Sequence, residues 1–297
     1  MEATTANIAV RIGLGLMFST LIGWLALRRG SLSRSGVAGA VVTGTLIFGF
    51  AGWIAGFLLI AFFVSSSRLS KFKAQARSKR DATRLFDKGG RRDIWQALAN
   101  GGVATACAVA AGLLTPSPET LFPNSSAGSA LYTALLGALA TANADTWATE
   151  LGVLSRSQPR LITTFRPVER GVSGGVSIAG SAAALAGAAF IALIAVIAHT
   201  ARATLMGQVD PAALSVIFTI VTVAGLLGSL ADSLLGATLQ AMYLDSETKQ
   251  PIEKALGPGG ARNVLLRGLP WLNNDWVNFL ATLTGAGLAL AAHSIIL

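Results

Sequence analysis

Long apolar segments alternate with short polar loops along the whole chain. A helix that spans a bilayer needs roughly 20 mostly apolar residues. Two of the segments are shorter and meet near Gly49, Gly52 and Gly56, so we expect either a tight hairpin or a partly re-entrant pair there. The pattern predicts an all-α polytopic membrane protein of about eight transmembrane helices, at residues 6–27, 36–50, 52–66, 95–114, 128–153, 173–200, 212–239 and 276–296.

Composition supports the same class, because 53% of the 297 residues are hydrophobic and only 12% are charged. Soluble domains carry about 25% charged residues, so too few polar side chains remain to cover a water-facing globule. Residues 1–297 are predicted to form a single membrane domain. We expect a multi-pass integral membrane protein, in the plasma membrane of a prokaryote or an organelle membrane of a eukaryote. Cys107 is the only cysteine, which excludes an internal disulfide and a cysteine-based zinc site.

Positive charge is concentrated in alternate loops. Nearly all of the 23 Lys and Arg residues lie in residues 28–35, 67–94, 154–172 and 240–275. Because basic loops stay on the cytoplasmic side of a membrane, these four segments are predicted to be cytoplasmic and both termini to lie outside. The net charge of +9 is therefore explained by topology and predicts no nucleic-acid partner. The sequence gives no indication of the oligomeric state.

Two short patterns occur twice and suggest an internal repeat of helix pairs. The run from Gly36 to Val41 resembles the run from Gly171 to Val176, and Ala-Asp-Thr around Asp145 resembles Ala-Asp-Ser around Asp232. Repeated helix groups around a central site are common in membrane proteins. Chance agreement among small residues is the alternative explanation.

Three acidic residues, Asp145, Glu150 and Asp232, are predicted to lie in the cytoplasmic half of the membrane, with Asp275 nearby. A charged side chain inside the bilayer costs about 2.5–3.5 kcal/mol, so it indicates a functional site by default. Asp232 shares a helical face with several glycines, which allow another backbone to come close. Because Mg²⁺ prefers oxygen ligands, we predict a Mg²⁺ site formed by Asp145, Glu150 and Asp232. The alternative is that these acids pair with loop arginines and only stabilise the fold.

Three polar segments beside the acids have the composition of phosphate-binding sites. One is an arginine-containing loop that leads into a glycine-rich helix start, where N–H groups and the helix dipole favour anions. The second contains adjacent arginines, which bind phosphate oxygens bidentately, and the third has more polar residues than an N-cap needs. Arginines placed by topology beside small packing residues are the alternative. No Walker motif is present, which excludes that class of nucleotide site. The predicted phosphate or nucleotide ligands are Arg91, Arg92, Asn100, Arg160, Thr164, Arg170, Gly171, Ser173, Gly174, Gly175, Ser177, Asn273, Asn274 and Asp275.

These motifs together resemble the transmembrane protein 19 family, also described as domain of unknown function 92. The family includes the phytyl-phosphate kinase of plant plastids and cyanobacteria, which converts phytyl phosphate to phytyl diphosphate. The arrangement is also similar, more distantly, to CTP-dependent polyprenol kinases and phosphatidate cytidylyltransferases. The resemblance covers nearly the whole chain and is carried by Gly89–Arg92 with Asn100, Ala142–Gly152, Pro159–Thr164, Arg170–Ser177, Gly228–Gln240 and Leu272–Asp275.

The resemblance implies a membrane kinase that transfers a phosphoryl group from a nucleoside triphosphate, with CTP as one candidate, to an isoprenoid monophosphate. It implies that the three membrane acids hold Mg²⁺ or position phosphates, that Arg160, Thr164, Arg170 and the glycines of 171–175 bind the nucleotide, and that residues 273–275 complete the site. Two other hypotheses stay open. One is a transporter or flippase of lipid phosphates or ions that uses the same carboxylates, and the other is a non-catalytic scaffold of lipid metabolism.

Overall fold

The computed structural model describes residues 2–74, 91–115, 126–155, 157–207, 209–246, 249–257, 260 and 262–297. Within these ranges helices dominate, as the apolar segments predict. Six of the helices are long and apolar enough to cross a membrane. The helices are α1 (Glu2–Arg28), α2 (Arg34–Ala74), α3 (Ile94–Leu114), α4 (Ala127–Gly152), α5 (Ile178–Leu205), α6 (Pro211–Thr238) and α7 (Asn274–Ile296).

Helix α2 contains both of the short predicted segments, and it folds back on itself at Gly52. The backbone there has φ 85° and ψ −176°, a conformation that only glycine adopts readily. A Cβ added at Gly56 would touch the side chain of Phe48, and one added at Gly44 would lie 3.9 Å from Leu59. In a straight helix Gly44 and Leu59 would be about 22 Å apart. The two limbs of α2 therefore lie side by side, which is the tight hairpin of the two sequence-based alternatives.

Helix α4 is the central element of the bundle. It packs against α2, α3, α5, α6 and α7, and apart from Leu131 its residues from Gly128 to Ala144 are all buried. Glycines of two neighbours make this close packing possible, since Gly225 of α6 faces Ala140 and Gly285 of α7 faces Thr141. Because protein surrounds α4, its surface does not have to be apolar, and it is not among the six helices that satisfy the length and hydropathy limits for a span.

Short strands occupy the two cytoplasmic-loop segments predicted at 154–172 and 240–275 and the approach to α5. Strands β1 (Arg160–Leu161) and β2 (Gly175–Val176) pair antiparallel. Strands β3 (Met242–Leu244), β4 (Pro251–Ile252) and β5 (Val264–Arg267) form a second antiparallel sheet in the order β4-β3-β5. The all-α prediction thus holds for the membrane helices but misses these strands, because they are too short to show an alternating pattern.

The described parts of the basic loops meet at one end of the bundle. Lys71 Nζ donates to the carbonyl of Arg29 at 2.8 Å. The N–H of Arg92 donates to the carbonyl of Ser31 at 3.1 Å, and the N–H of Ser33 donates to the carbonyl of Arg92 at 2.9 Å. Clustering of this kind agrees with the predicted alternation of charge, while the assignment of this end to the cytoplasm stays a prediction.

The proposed repeat is reproduced only in part. Asp145 and Asp232 both lie about two turns before the C-terminal ends of their helices. Gly36, however, lies inside the first turn of α2, whereas Gly171 lies in a turn with φ 87° that precedes β2. The glycine-rich runs therefore do not occupy corresponding positions, and α5 begins at Ile178, five residues after the predicted start at 173, because Gly175 and Val176 form β2.

Candidate functional site

A cavity of about 670 Å³ lies where the basic loops cover the end of α4. Its volume is in the range of ligand-binding pockets. The three predicted membrane acids line it together with most of the predicted phosphate ligands. Charged side chains of both signs face the same space, namely Lys71, Arg91, Arg92, Arg170, Asp145, Glu150, Asp232, Glu253 and Asp275.

One group of acids lies between α4, α6 and the small sheet. The carboxylate of Asp232 is close enough to Asp145 and Glu253 to be repelled by both. Its Oδ2 atom is buried and has no hydrogen-bond partner among the residues that the structure describes. A buried carboxylate oxygen beside two like charges is a strong attractor for a cation or a hydrogen-bond donor.

The predicted Mg²⁺ site has Glu150 as its third acid, whereas in the structure the acids near Asp232 are Asp145 and Glu253. Among the described residues no three Asp, Glu, His or Cys side chains converge as a metal-binding group. Glu150 accepts instead from Ser70 Oγ at 3.0 Å and interacts with Arg92. Because Mg²⁺ is commonly held by one or two carboxylates plus substrate phosphates, the pair Asp145 and Asp232, with its free oxygen, fits such an ion.

Arg92 is a cation that lines the same cavity and is held in place by its neighbours. Its backbone is held by the loop between α1 and α2, and its guanidinium lies 5.8 Å from the ring centre of Phe62 and 6.0 Å from that of Phe63. Burial lowers the pKa of Arg92, and the negative charge of Glu150 opposes this effect. The side chain is thus a preorganised and partly desolvated cation, the kind that binds a phosphate strongly.

The glycine-rich loop before α5 is held against the end of α6. Gly174 has φ 83°, and a Cβ added there would lie within 2.6 Å of the backbone nitrogen of Ala237. Ser173 Oγ donates to Gln240 Oε1 at 2.6 Å, and Gln240 Nε2 donates to Glu253 Oε1 at 2.9 Å. This chain of hydrogen bonds connects the loop to the acid group.

Ser177, the N-cap of α5, receives the N–H of Gly180 at 3.1 Å. It lines the cavity with Gly171 and Gly175. The start of α5 therefore directs the positive end of its dipole toward the cavity. Ser173, in contrast, hydrogen-bonds to Gln240.

Three of the predicted ligands lie outside the cavity lining. Arg160 Nη1 donates to the carbonyl of Phe165 at 2.8 Å on the outer surface of the loop, and the exposed Thr164 accepts from the N–H of Arg166 at 3.4 Å. Asn273 is the N-cap of α7. The other predicted ligands, including Asn100, Asn274 and Asp275, line the cavity.

Several lining residues were not predicted from the sequence. Ser67, Ser70 and Lys71 continue α2 beyond residue 66, where the apolar segment ends. Their spacing of three and four residues is the signal that could have identified them, because such residues share a helical face. Glu253 follows the two-residue strand β4, and no local pattern indicates that it points into the cavity.

Comparisons with known proteins agree with this architecture. The family model described as integral membrane protein DUF92 matches residues 17–286. Protein PGR of Arabidopsis thaliana is 38% identical over 277 residues, which cover 92% of this chain and 93% of the relative. Uncharacterized membrane protein MJ0933 of Methanocaldococcus jannaschii is 28% identical over 96% of this chain and 95% of its own length. Protein VTE6, chloroplastic, of Arabidopsis thaliana is 27% identical over 90% of this chain and 66% of its own length. No solved structure matches the chain.

Proposed function

The chain belongs to the DUF92 family of integral membrane proteins, and from that premise we propose that it is a membrane kinase for isoprenoid monophosphates. In the proposed reaction an oxygen of the lipid phosphate attacks the γ-phosphorus of a nucleoside triphosphate. The bond between the γ-phosphorus and the bridging oxygen breaks, and a nucleoside diphosphate leaves. The products are a prenyl diphosphate and the nucleoside diphosphate.

The observation that carries the proposal is that one cavity is lined by cations and by a carboxylate with a buried oxygen that no described residue hydrogen-bonds. Phosphoryl transfer depends on positioning and on neutralisation of negative charge rather than on covalent chemistry by the protein. Arg92 and Arg170 line the cavity from the loops before α3 and α5, while Asp145 and Asp232 line it from about two turns inside the ends of α4 and α6. The acceptor is already an anionic phosphate, so the site has more need of cations than of a general base.

The two ends of the predicted phosphate site, at the starts of α5 and α3, suit different substrates. The loop from Arg170 to Gly175 and the start of α5 offer backbone N–H groups for the phosphate chain of a nucleotide. Arg92 and Asn100 face the cavity from the start of α3 and suit the lipid phosphate. Asp145 and Asp232 would hold Mg²⁺, which when bound neutralises phosphate charge between the two substrates.

The interior of α4 favours a kinase over a transporter. Toward the other end of the bundle from Asp145, Thr141 is fully buried where Gly228 and Gly285 approach it, and Leu139 and Leu135 are also fully buried. Within the described residues the cavity thus ends against close-packed helices. A lipid phosphate that enters this site therefore meets the close-packed residues of α4, α6 and α7 beyond Asp145.

Proteoliposomes that contain the purified protein test the proposal. Nucleoside triphosphate labelled in its γ-phosphate is supplied with phytyl or farnesyl phosphate, and label is measured in the prenyl diphosphate. We expect transfer in the wild type and its loss in the Asp145→Asn variant. Movement of the lipid phosphate across the bilayer without label transfer would overturn the kinase assignment and favour the transporter.

A further inference from the structure

Trp147 of α4 lies between the second limb of α2 and α5, beside the cavity but outside its lining. Its indole N–H donates to Ser65 Oγ at 3.4 Å, and its ring lies 5.3 Å from the ring of Phe190 at an interplanar angle of 35°. One turn earlier, Asn143 Oδ1 accepts from Ser65 Oγ at 3.0 Å and Asn143 Nδ2 donates to the carbonyl of Gly187 at 2.7 Å. We call these five residues the α2–α5 seam.

The α2–α5 seam is the weakest boundary of the ring of helices around α4. Direct contact between α2 and α5 is less extensive than between the other neighbours in that ring. On the inner side, the small side chains of Ala148 and Ala184 line the cavity. On the outer side, Leu185 is 48% exposed and Val64 is 37% exposed, as expected of residues that face lipid. Trp147 is therefore the largest side chain that separates the cavity from the bilayer at this position.

A prenyl phosphate bound in the cavity must still place its hydrocarbon tail in an apolar phase. Each CH₂ group that leaves water gains about 0.8 kcal/mol, whereas most of the residues that line the cavity are charged or polar and only a few have aliphatic side chains. We propose that the isoprenoid tail leaves the cavity through the α2–α5 seam, and that Trp147 seals this seam until a tail displaces it. The proposal rests on the proposed function only in taking a prenyl phosphate as the ligand.

Trp147 then determines how strongly the reaction depends on tail length. A long tail must break the contact of Trp147 with Phe190 and its hydrogen bond with Ser65. The loss of these two interactions corresponds to a roughly tenfold to thirtyfold lower kcat/KM. A short dimethylallyl tail stays within the cavity and avoids it. In Trp147→Ala we expect kcat/KM for phytyl phosphate to rise by that factor relative to dimethylallyl phosphate. Ser65→Ala removes the hydrogen bonds of Ser65 to Trp147 and Asn143 but keeps the ring contact with Phe190, and it should change the ratio in the same direction by less.

The matched control is Trp53→Ala at the hairpin turn of α2, where Trp53 is 51% exposed and far from the seam. This variant should leave the ratio of the two kcat/KM values unchanged. Thermal unfolding of all variants separates a local effect from a loss of fold. An unchanged or lowered ratio in folded Trp147→Ala would overturn the sealing role.

The path of the tail is tested by photo-crosslinking, which requires binding but no turnover. Farnesyl phosphate with a photoreactive group at the end of its tail is bound to the protein in lipid nanodiscs, and adducts are located by mass spectrometry. We expect adducts, competed by unlabelled farnesyl phosphate, in the α2 peptide around Ser65 and the α5 peptide around Phe190. Adducts between α6 and α7 or between α3 and α7, or no competed adducts, would overturn the proposal. Seam adducts in a protein that transfers no phosphoryl group would refute the kinase assignment and retain the tail path.

Discussion

Substitution of Gly174 by alanine tests whether α6 holds the glycine-rich loop in its observed shape. A residue with a Cβ in a left-handed conformation loses about 1–2 kcal/mol. The new Cβ would also lie within 2.6 Å of the backbone nitrogen of Ala237, and backbone atoms cannot move aside cheaply. If the loop shifts away, the hydrogen bond between Ser173 and Gln240 is lost, which costs about 1 kcal/mol more. The expected destabilisation is therefore at least about 2–3 kcal/mol.

Gly207 provides the matched control. It has φ 68°, and no atom lies within 4 Å of a Cβ added there. Gly207→Ala should therefore cost only the conformational term of about 1–2 kcal/mol. Both variants are compared by thermal unfolding in detergent and by titration of nucleotide into the purified protein. Gly174→Ala should unfold at the lower temperature and bind nucleotide more weakly, while Gly207→Ala keeps wild-type affinity. Equal unfolding temperatures would refute the packing argument. Wild-type nucleotide affinity in Gly174→Ala would show that the loop does not bind the nucleotide.

Three further substitutions have expected outcomes. Asp232→Asn should raise the unfolding temperature, because it removes the repulsion of Asp232 by Asp145 and Glu253. It should also abolish transfer, because the reaction requires the carboxylate of Asp232. A lower unfolding temperature would contradict the repulsion. Arg92→Ala should raise KM for the lipid phosphate about tenfold to a hundredfold, and Arg92→Lys should restore part of the loss. An unchanged KM would show that Arg92 does not bind the lipid phosphate. Gly285→Ala should destabilise the bundle because its Cβ overlaps the Thr141 hydroxyl, whereas Gly287→Ala, with no atom within 4 Å, should be neutral or stabilise by up to about 1 kcal/mol. Equal effects on unfolding temperature would count against the close packing around α4.

The membrane helices could be predicted from the sequence because each long apolar segment has only one stable state in a bilayer. Backbone groups there must bond within the segment, so a helix follows from length and hydropathy alone. The approach of Asp232 to α4 could also be anticipated from its glycine face. In the structure Gly225 and Gly228 of that face contact Ala140 and Thr141. These features depend on local patterns that one sequence contains.

The remaining features depend on contacts between distant segments. The hairpin in α2 could not be distinguished from a re-entrant pair, since the difference lies in how the limbs meet after Gly52. Glu253 approaches Asp232 only because β4 pairs with β3, and Glu150 is drawn toward Ser70 and Arg92 rather than toward Asp145. Single-sequence periodicity contains no information about such pairings.

A cryo-electron microscopy map of the protein with a non-hydrolysable nucleoside triphosphate, Mg²⁺ and a prenyl phosphate would test the central claim most directly. The claim is that one cavity at the end of α4 brings both phosphate groups together between its cations and the pair Asp145 and Asp232. We expect density for the nucleotide phosphates beside the loop of Gly171 to Gly175, and density for the lipid phosphate beside Arg92. Nucleotide density elsewhere on the protein, or a cavity that stays empty at saturating ligand, would contradict the claim.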